Sequence, residues 1–308
     1  MYDLVIIGAG PAGLTAALYA LRSRLNVLLT DKMQPGGYLG FIDNLENYPG
    51  FAEGISGRDL IQRIMQQLQK YDLKFQQAEV TNLIAMENSS WKLQMRNDSV
   101  CAKAVIIATG SSPKSLGVPG EQQYIGKGVS YCAVCDAPFF RDKDVVVVGG
   151  GNTALEEALY LTRFAKTVTV VHRRDTLRAD AVLQEKARNN GKIRFVLSSV
   201  CTAIEGEQAV QWVKVKNKAK ESAEEIINCQ GVFIFVGIEP RTSFVRELLP
   251  LNDSGYITTN NELACFVKGI FACGDCREVP LRQVITACAD GAVAAYSVRK
   301  YLEEREKK

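Results

Sequence analysis

The chain contains a single histidine, His172, among 308 residues. One histidine at the end of a strand argues against Ser-His-Asp and Cys-His catalysis and against most zinc sites, which draw on that residue type. Long apolar runs are also missing: none approaches the roughly 20 residues of a membrane span. No charged segment, apolar stretch or cleavage site precedes the first strand at Leu4, so a cytoplasmic location is expected. Neither sign of charge dominates, since the net charge is +3 with acids and bases mixed along the chain. Without a basic stripe interleaved with aromatics, nucleic-acid binding is not expected. Nine cysteines would leave one unpaired in a secreted protein, whereas a reducing compartment needs no pairing rule.

The length suits two domains of roughly 100–200 residues each. Leu4-Val5-Ile6-Ile7 is a continuous apolar run, as expected of a strand buried on both faces. It enters Gly8-Ala9-Gly10-Pro11-Ala12-Gly13, followed by a helix of small residues from Leu14 to Leu21. Gly8 permits a tight turn and Gly10 a close approach of backbone to a pyrophosphate. Gly13 lets the helix lie against the strand, with its N-terminus facing the anion. A second strand, Val27 to Thr30, ends at Asp31, where a carboxylate is expected to receive ribose hydroxyls.

The device recurs 141 residues later, counting from Gly8 to Gly149. Asp144 to Val148 leads into Gly149-Gly150-Gly151-Asn152-Thr153-Ala154, with alanine at the third packing position. The next strand, Val168 to Val171, ends in His172-Arg173-Arg174, with Arg178 close behind. Arginines stand where a ribose-binding acid would, and a guanidinium fork suits a 2′-phosphate, so NADPH is expected over NADH. His172 is expected to pack there or to touch that phosphate.

Cys132-Ala133-Val134-Cys135-Asp136 lies just upstream of the second fingerprint. A C-x-x-C beside a βαβ unit reads as a redox disulfide. Between two nucleotide sites, it points to electron flow from a nicotinamide through a flavin to the disulfide. Asp136 is positioned by sequence to carry the proton that each exchange step requires, or else serves as a helix-start carboxylate. Cys273-Gly274-Asp275-Cys276 has the same spacing, but its sulfurs are expected at a buried strand end, where thiols are unreactive.

Between these motifs, a glycine- and aromatic-rich loop runs from Gly36 to Phe51, then a helix from about Gly57 to Tyr71. Several strands occupy 74–107 and end at Ala108-Thr109-Gly110. The second unit includes a charged hairpin near 212–227. A strand reaches Gly274-Asp275, and a long helix covers 281–303. Crossings near 112–117 and 238–244 insert the second domain into the first. The fold expected is α/β, with two Rossmann-like, doubly wound, three-layer dinucleotide-binding domains.

Taken in order, these motifs, with Glu46-Asn47-Tyr48-Pro49-Gly50-Phe51 and Arg282-Gln283-Val284, resemble the low-molecular-weight, bacterial-type thioredoxin reductases over essentially the whole chain. The resemblance implies FAD in a domain made of 1–113 and 244–308, and NADPH with the redox disulfide in 117–240. It implies that Cys135 faces the flavin and Cys132 attacks the substrate disulfide, and that thioredoxin is the partner of a homodimeric enzyme. Cofactor contacts are implied for Gly8, Gly10, Pro11, Ala12, Gly13, Asp31, Gly37, Asn47, Ala108, Thr109, Gly110, Gly274, Asp275, Arg282, Gln283 and Val284. The corresponding second set is Gly149, Gly151, Asn152, Thr153, Ala154, His172, Arg173, Arg174 and Arg178. The chain departs from the family in Tyr38, where glutamine is common, and in Ala137, where glycine is usual. The alternatives are the same fold with ferredoxin as donor or another redoxin or small disulfide as substrate, a flavodoxin/ferredoxin–NADP reductase, and a nucleotide-sensing module. Cys132 and Cys135 argue against the last two.

Overall fold

A computed structural model describes residues 1–42, 45, 47–87, 89–218 and 224–307, without the side chains of Phe41 and Cys135. Glu46 of the loop motif and residues 219–223 of the charged hairpin therefore lie outside the described residues. The chain divides into two compact units, Met1–Ser112 with Glu239–Lys308, and Pro113–Ile238.

In chain order the first unit begins with β1 (Tyr2–Ile7), α1 (Pro11–Arg22), β2 (Val27–Asp31), α2 (Gly57–Leu68) and β3 (Lys74–Gln77). It continues with β4 (Val80–Ala85), β5 (Trp91–Met95) and β6 (Ser99–Ile107), and β7 (Ser111–Pro113) leaves it. The second unit holds β8 (Val129–Ser130), α3 (Ala133–Asp136), β9 (Asp144–Gly149), α4 (Asn152–Leu161), β10 (Thr167–Val171) and α5 (Ala181–Arg188). Then follow β11 (Ile193–Val196), β12 (Ser199–Gly206), β13 (Val210–Asn217), β14 (Glu225–Asn228) and β15 (Gly231–Phe235), with β16 (Ile238–Pro240) leading out. The first unit closes with β17 (Ile270–Ala272) and α6 (Val284–Glu306). The two crossing strands, β7 and β16, pair with each other.

In the first unit β3, β2, β1, β6 and β17 are all parallel, with β1 between β2 and β6. Parallel strands need crossovers that cover both faces, which is why β1 and β6 read as near-continuous apolar runs. One face carries Leu4, Ile6 and Ile106 against α1, α2 and α6. The other carries Val5, Ile7 and Val105 against β4, β5 and the segment around Val245 to Ile257. Helices α1 and α6 meet through small residues: a Cβ on Gly291 would lie 2.1 Å from the Ala12 carbonyl oxygen. A larger residue there would push the helices apart.

The second unit repeats the parallel plan in the order β11-β10-β9-β15-β8, with α3, α4 and α5 covering one face. An antiparallel sheet, β12-β13-β14, covers the other. The charged hairpin foreseen near 212–227 is thus two strands of a three-stranded cover, because β12 supplies Cys201 and Ile204 to the same core. Helix α2 stops at Leu68, three residues short of Tyr71, and α6 starts at Val284, where Gln283 forms a capping box with Thr286. No helix among the described residues is long and apolar enough to cross a membrane.

Candidate functional site

The first unit builds its site where β1 gives way to α1. Gly8 has φ +108°, and a Cβ there would fall 2.2 Å from the Ala108 carbonyl oxygen. Only glycine allows that turn. A Cβ on Gly13 would meet the Gly8 carbonyl oxygen at 1.8 Å, so the helix can start only where it does. Above Gly10 there is open space, and it precedes Pro11 at the first position of α1. Helix-start N–H groups therefore face an open cradle, which favours an anionic group. Asp31 closes the loop: its Oδ2 accepts from the Ala9 N–H at 2.7 Å and its Oδ1 from the Met33 N–H at 2.9 Å. Gly36 donates to the Ala9 carbonyl at 2.8 Å, laying Gly37 against the same turn.

Around this cradle the structure gathers most of the remaining first-unit candidates. Ala108 donates to Ile7 at 2.7 Å; Thr109 Oγ1 and the Gly110 carbonyl both bond the Arg241 backbone, at 2.7 and 3.0 Å. Asn47 Nδ2 donates to Gln283 Oε1 at 3.0 Å, joining the aromatic loop to the cap of α6, which Val284 begins. Gly274 donates its N–H to Asp290 Oδ2 at 3.0 Å. Asp290 in turn holds Arg277 through two bonds of 2.7 and 2.8 Å. This bidentate pair fixes the Gly-Asp turn, and nothing in the sequence marked it, because the partners share no motif. Burial pushes the Asp275 carboxyl up while the Arg282 charge pulls it down. Arg282 stacks over Tyr256 at 4.3 Å from the ring centre, and its Nε is buried with no partner among the described residues. An orphaned guanidinium N–H beside an open phosphate cradle fits a bound dinucleotide.

The second unit repeats the turn with different fittings. A Cβ on Gly149 would lie 2.4 Å from the Phe235 carbonyl oxygen, and Gly151, before α4, opens onto free space. Ala154 is buried, whereas Asn152 and Thr153 are exposed at the helix start. Asn152 and Asp180 bond reciprocally, Nδ2 to Oδ2 at 2.7 Å and the Asp180 N–H to Oδ1 at 2.8 Å. The Arg178 N–H donates to the Gly150 carbonyl at 2.7 Å. These bonds lay the arginine segment beside the fingerprint and leave Arg173, Arg174 and Arg178 exposed. His172 lies underneath, only 8% exposed, its ring filling the place where a Cβ on Gly150 would be. Burial, with the neighbouring arginines, holds its pKa below the usual value, so the ring is neutral near pH 7.

Cys132 is disulfide-bonded and half-buried just before the short helix α3. The Cys135 side chain lies outside the described residues, and seven other cysteines are free thiols. Ser130 Oγ brackets Cys132, accepting from its N–H at 3.0 Å and donating to its carbonyl at 3.1 Å. Asp136 ends α3 and makes no side-chain cap to the turn that follows. Two carboxyl groups that the sequence reading missed flank the segment. Glu121, 1% exposed, accepts from the N–H groups of Leu116 and Gly117 at 2.8 and 2.7 Å and from the Tyr131 hydroxyl at 2.6 Å. Burial and that carboxylate push the Tyr131 pKa up, so the phenol stays a donor. Glu157, on α4, faces the backbone of Ala133 and Val134; burial pushes its carboxyl up, and those N–H groups pull it down. Neither contact left a sequence signal, because each joins segments without a shared motif.

Two glycine-rich strand-to-helix turns on parallel sheets, with a disulfide-bonded cysteine before the second, fit a class of nucleotide-dependent disulfide enzymes. A family model, pyridine nucleotide-disulphide oxidoreductase, matches residues 2–291. A thioredoxin reductase from Peptoclostridium litorale is 42% identical over 99% of this chain and 98% of its own length. The crystal structure of Lactococcus lactis thioredoxin reductase is 41% identical with a TM-score of 0.89, covering 99% of this chain and 100% of that one. A ferredoxin-flavin thioredoxin reductase from Clostridium acetobutylicum is more distant, at 29% identity and a TM-score of 0.53 over 98% of both chains. The chain belongs to the pyridine nucleotide-disulphide oxidoreductases and, within them, to the low-molecular-weight thioredoxin reductases. The family uses a flavin and a pyridine nucleotide.

Proposed function

We propose that the protein is an NADPH-dependent thioredoxin-disulfide reductase with FAD in the first unit, NADPH in the second, and Cys132–Cys135 as its redox disulfide. The observation that carries this reading is the bonded Cys132 beside a second nucleotide turn whose exposed neighbours are Arg173, Arg174 and Arg178. Bound FAD would turn a two-electron hydride into thiol chemistry, which no side chain here supplies. The Gly8–Gly13 turn would hold its pyrophosphate, and Asp275 and Arg282 would face its polar chain. Asp31, with both oxygens already engaged by N–H groups, keeps lone pairs for ribose hydroxyls. In the second unit the arginines would pair with the 2′-phosphate, while His172 supports the loop from below. Cys132 is the sulfur that attacks the substrate disulfide, and Asp136, two peptide units past Val134, holds and returns the exchange proton.

A homodimer through the first unit is supported by α6. Ile285, Ala289, Val293 and Tyr296 recur at helical spacing and are all exposed, Tyr296 by 54%. A cytoplasmic setting accords with seven free thiols. The ferredoxin-driven alternative is disfavoured by the arginine cluster. The test is an anaerobic titration of the yellow holoenzyme with NADPH and NADH. NADPH should bleach the flavin at the lower concentration, and Arg173→Ala or Arg174→Ala should weaken NADPH far more than NADH. Equal losses for both nucleotides would remove the 2′-phosphate assignment.

A further inference from the structure

The segment between β10 and α5 is irregular and carries Arg173, Arg174 and Arg178, all exposed. It is anchored along its length. The Arg174 carbonyl accepts from the Ser198 N–H at 2.9 Å, and the Arg178 N–H donates to the Gly150 carbonyl at 2.7 Å. Leu177 and Ala179, on either side of Arg178, are buried in the core of the unit, and Gln184 Nε2 donates to the Ala179 carbonyl at 2.8 Å. The last anchor ties the segment to the fingerprint through side chains. Asn152 Nδ2 donates to Asp180 Oδ2 at 2.7 Å, and Asn152 Oδ1 accepts the Asp180 N–H at 2.8 Å. Asp180 stands at the N-cap of α5, where a carboxylate ordinarily accepts an N–H of the first turn. It makes no such cap among the described residues. It turns to Asn152 instead, which leaves α5 uncapped and sets a negative charge beside a turn that favours anions. Both features carry a local cost, so the pair calls for another reason.

We propose that Asp180, through Asn152, is a positioning residue that sets the preference for a 2′-phosphorylated nucleotide over one without that phosphate. The inference rests on the proposed pairing of Arg173, Arg174 and Arg178 with the 2′-phosphate. Pyrophosphate and 2′-phosphate hang from one adenosine, so the nucleotide itself limits their separation. A protein that binds both must hold the fingerprint turn and the arginine segment at a matching distance. Asn152 belongs to the first and Asp180 directly follows the second, and their two reciprocal bonds fix that distance. An exposed arginine holds a phosphate tightly only where its backbone is already held, since binding must otherwise order the loop as well. A nucleotide with a free 2′-hydroxyl makes no use of the arginines and is insensitive to the lock. The Asn152 side chain is thereby engaged by Asp180, and the pyrophosphate is left to the backbone N–H groups at the start of α4.

The test is isothermal titration of the oxidised holoenzyme with NADP+ and with NAD+, which reads binding without turnover. Asp180→Ala removes the charged bond to Asn152. NADP+ should then bind about tenfold more weakly, while NAD+ stays within about twofold of wild type. Asp180→Asn keeps a carbonyl acceptor for Asn152 and should hold NADP+ within about twofold of wild type. Asp180→Val serves as a second lock-free variant should the alanine protein not fold. An unchanged ratio of the two affinities in a folded lock-free variant overturns the proposal. So does an Asn variant that loses as much as Ala, or NADP+ tightening in either, because the charge and not the bond would then be acting. A wild-type enzyme that binds NAD+ as tightly as NADP+ overturns the arginine assignment, and this inference with it. A wild-type preference that survives intact in Asp180→Ala overturns this inference alone.

Discussion

Cys132 and Cys276 belong to two pairs with identical spacing, yet their surroundings are opposite. Cys132 is half-buried and disulfide-bonded, on a segment gripped by Ser130 and by Glu121 through Tyr131. Cys273 and Cys276 are free and 0% exposed, at the end of β17 under the first nucleotide turn. Cys276 Sγ lies within hydrogen-bond range of the carbonyls of Ile107 and Cys273, at 3.4 and 3.3 Å. Burial pushes the Cys276 thiol up to about 11 and holds the Cys273 thiol well above its ordinary value. At pH 8 about one Cys276 in a thousand would be a thiolate, too few to act as a nucleophile. Redox character is therefore a property of what surrounds the spacing, and the spacing alone does not confer it.

The largest expected effect comes from exchanging the roles. Cys132→Ser should bring thioredoxin reduction down to background while NADPH still bleaches the flavin. Cys276→Ser should retain reduction and cost about 1 kcal/mol of stability, since a hydroxyl can donate its one hydrogen to either carbonyl. A rate assay with stopped-flow flavin absorbance checks both, and the comparison breaks if the buried pair proves essential and the first dispensable.

Smaller is the effect of loosening the grip on the first pair. Glu121→Ala strands the Leu116 and Gly117 N–H groups and the Tyr131 hydroxyl, so the protein should lose about 3 kcal/mol, at 1.5–3 kcal/mol for each bond to a charged group less compensation by water. Tyr131→Phe removes one of those bonds and should cost about 1 kcal/mol. Urea denaturation measures both; a Glu121→Ala loss no greater than that of Tyr131→Phe would mean that the bonds to Leu116 and Gly117 contribute little.

Smallest is the pH signature of the second pair. A thiol raised from 9.0 to about 11 keeps its proton in the folded chain after the unfolded chain has lost it. Unfolding then releases protons, so stability falls as pH rises from about 9 to about 11 and is unaffected below that window. Cys201, Cys229 and Cys265, each raised to about 12, add to the same slope. The Cys273→Ala, Cys276→Ala double variant should show a shallower fall between pH 8 and pH 10 than wild type. Superimposable slopes would show that the buried thiols do not contribute to it.

The repeated phosphate turns, the strand runs that feed them and the arginines after the second were readable from the sequence. Each depends on neighbours along the chain: a glycine's φ, a helix start, or a strand end set by a short stretch of residues. The expected burial of Cys273 and Cys276 followed from their place around the Gly-Asp turn. Contacts between distant segments were not readable. Asp290 holds Gly274 from one turn of α6, Asp180 engages Asn152 across a loop, and Glu121 reaches Tyr131. Each joins groups far apart in the chain whose desolvation requires a partner, and packing alone decides which partner is within reach. The sequence by itself determined two nucleotide turns, a cystine spacing and an α/β plan. The tertiary structure decided which thiols are sealed in the core and which acceptors surround Cys132, because burial and hydrogen-bond pairing exist only once the sheets and helices have closed over them.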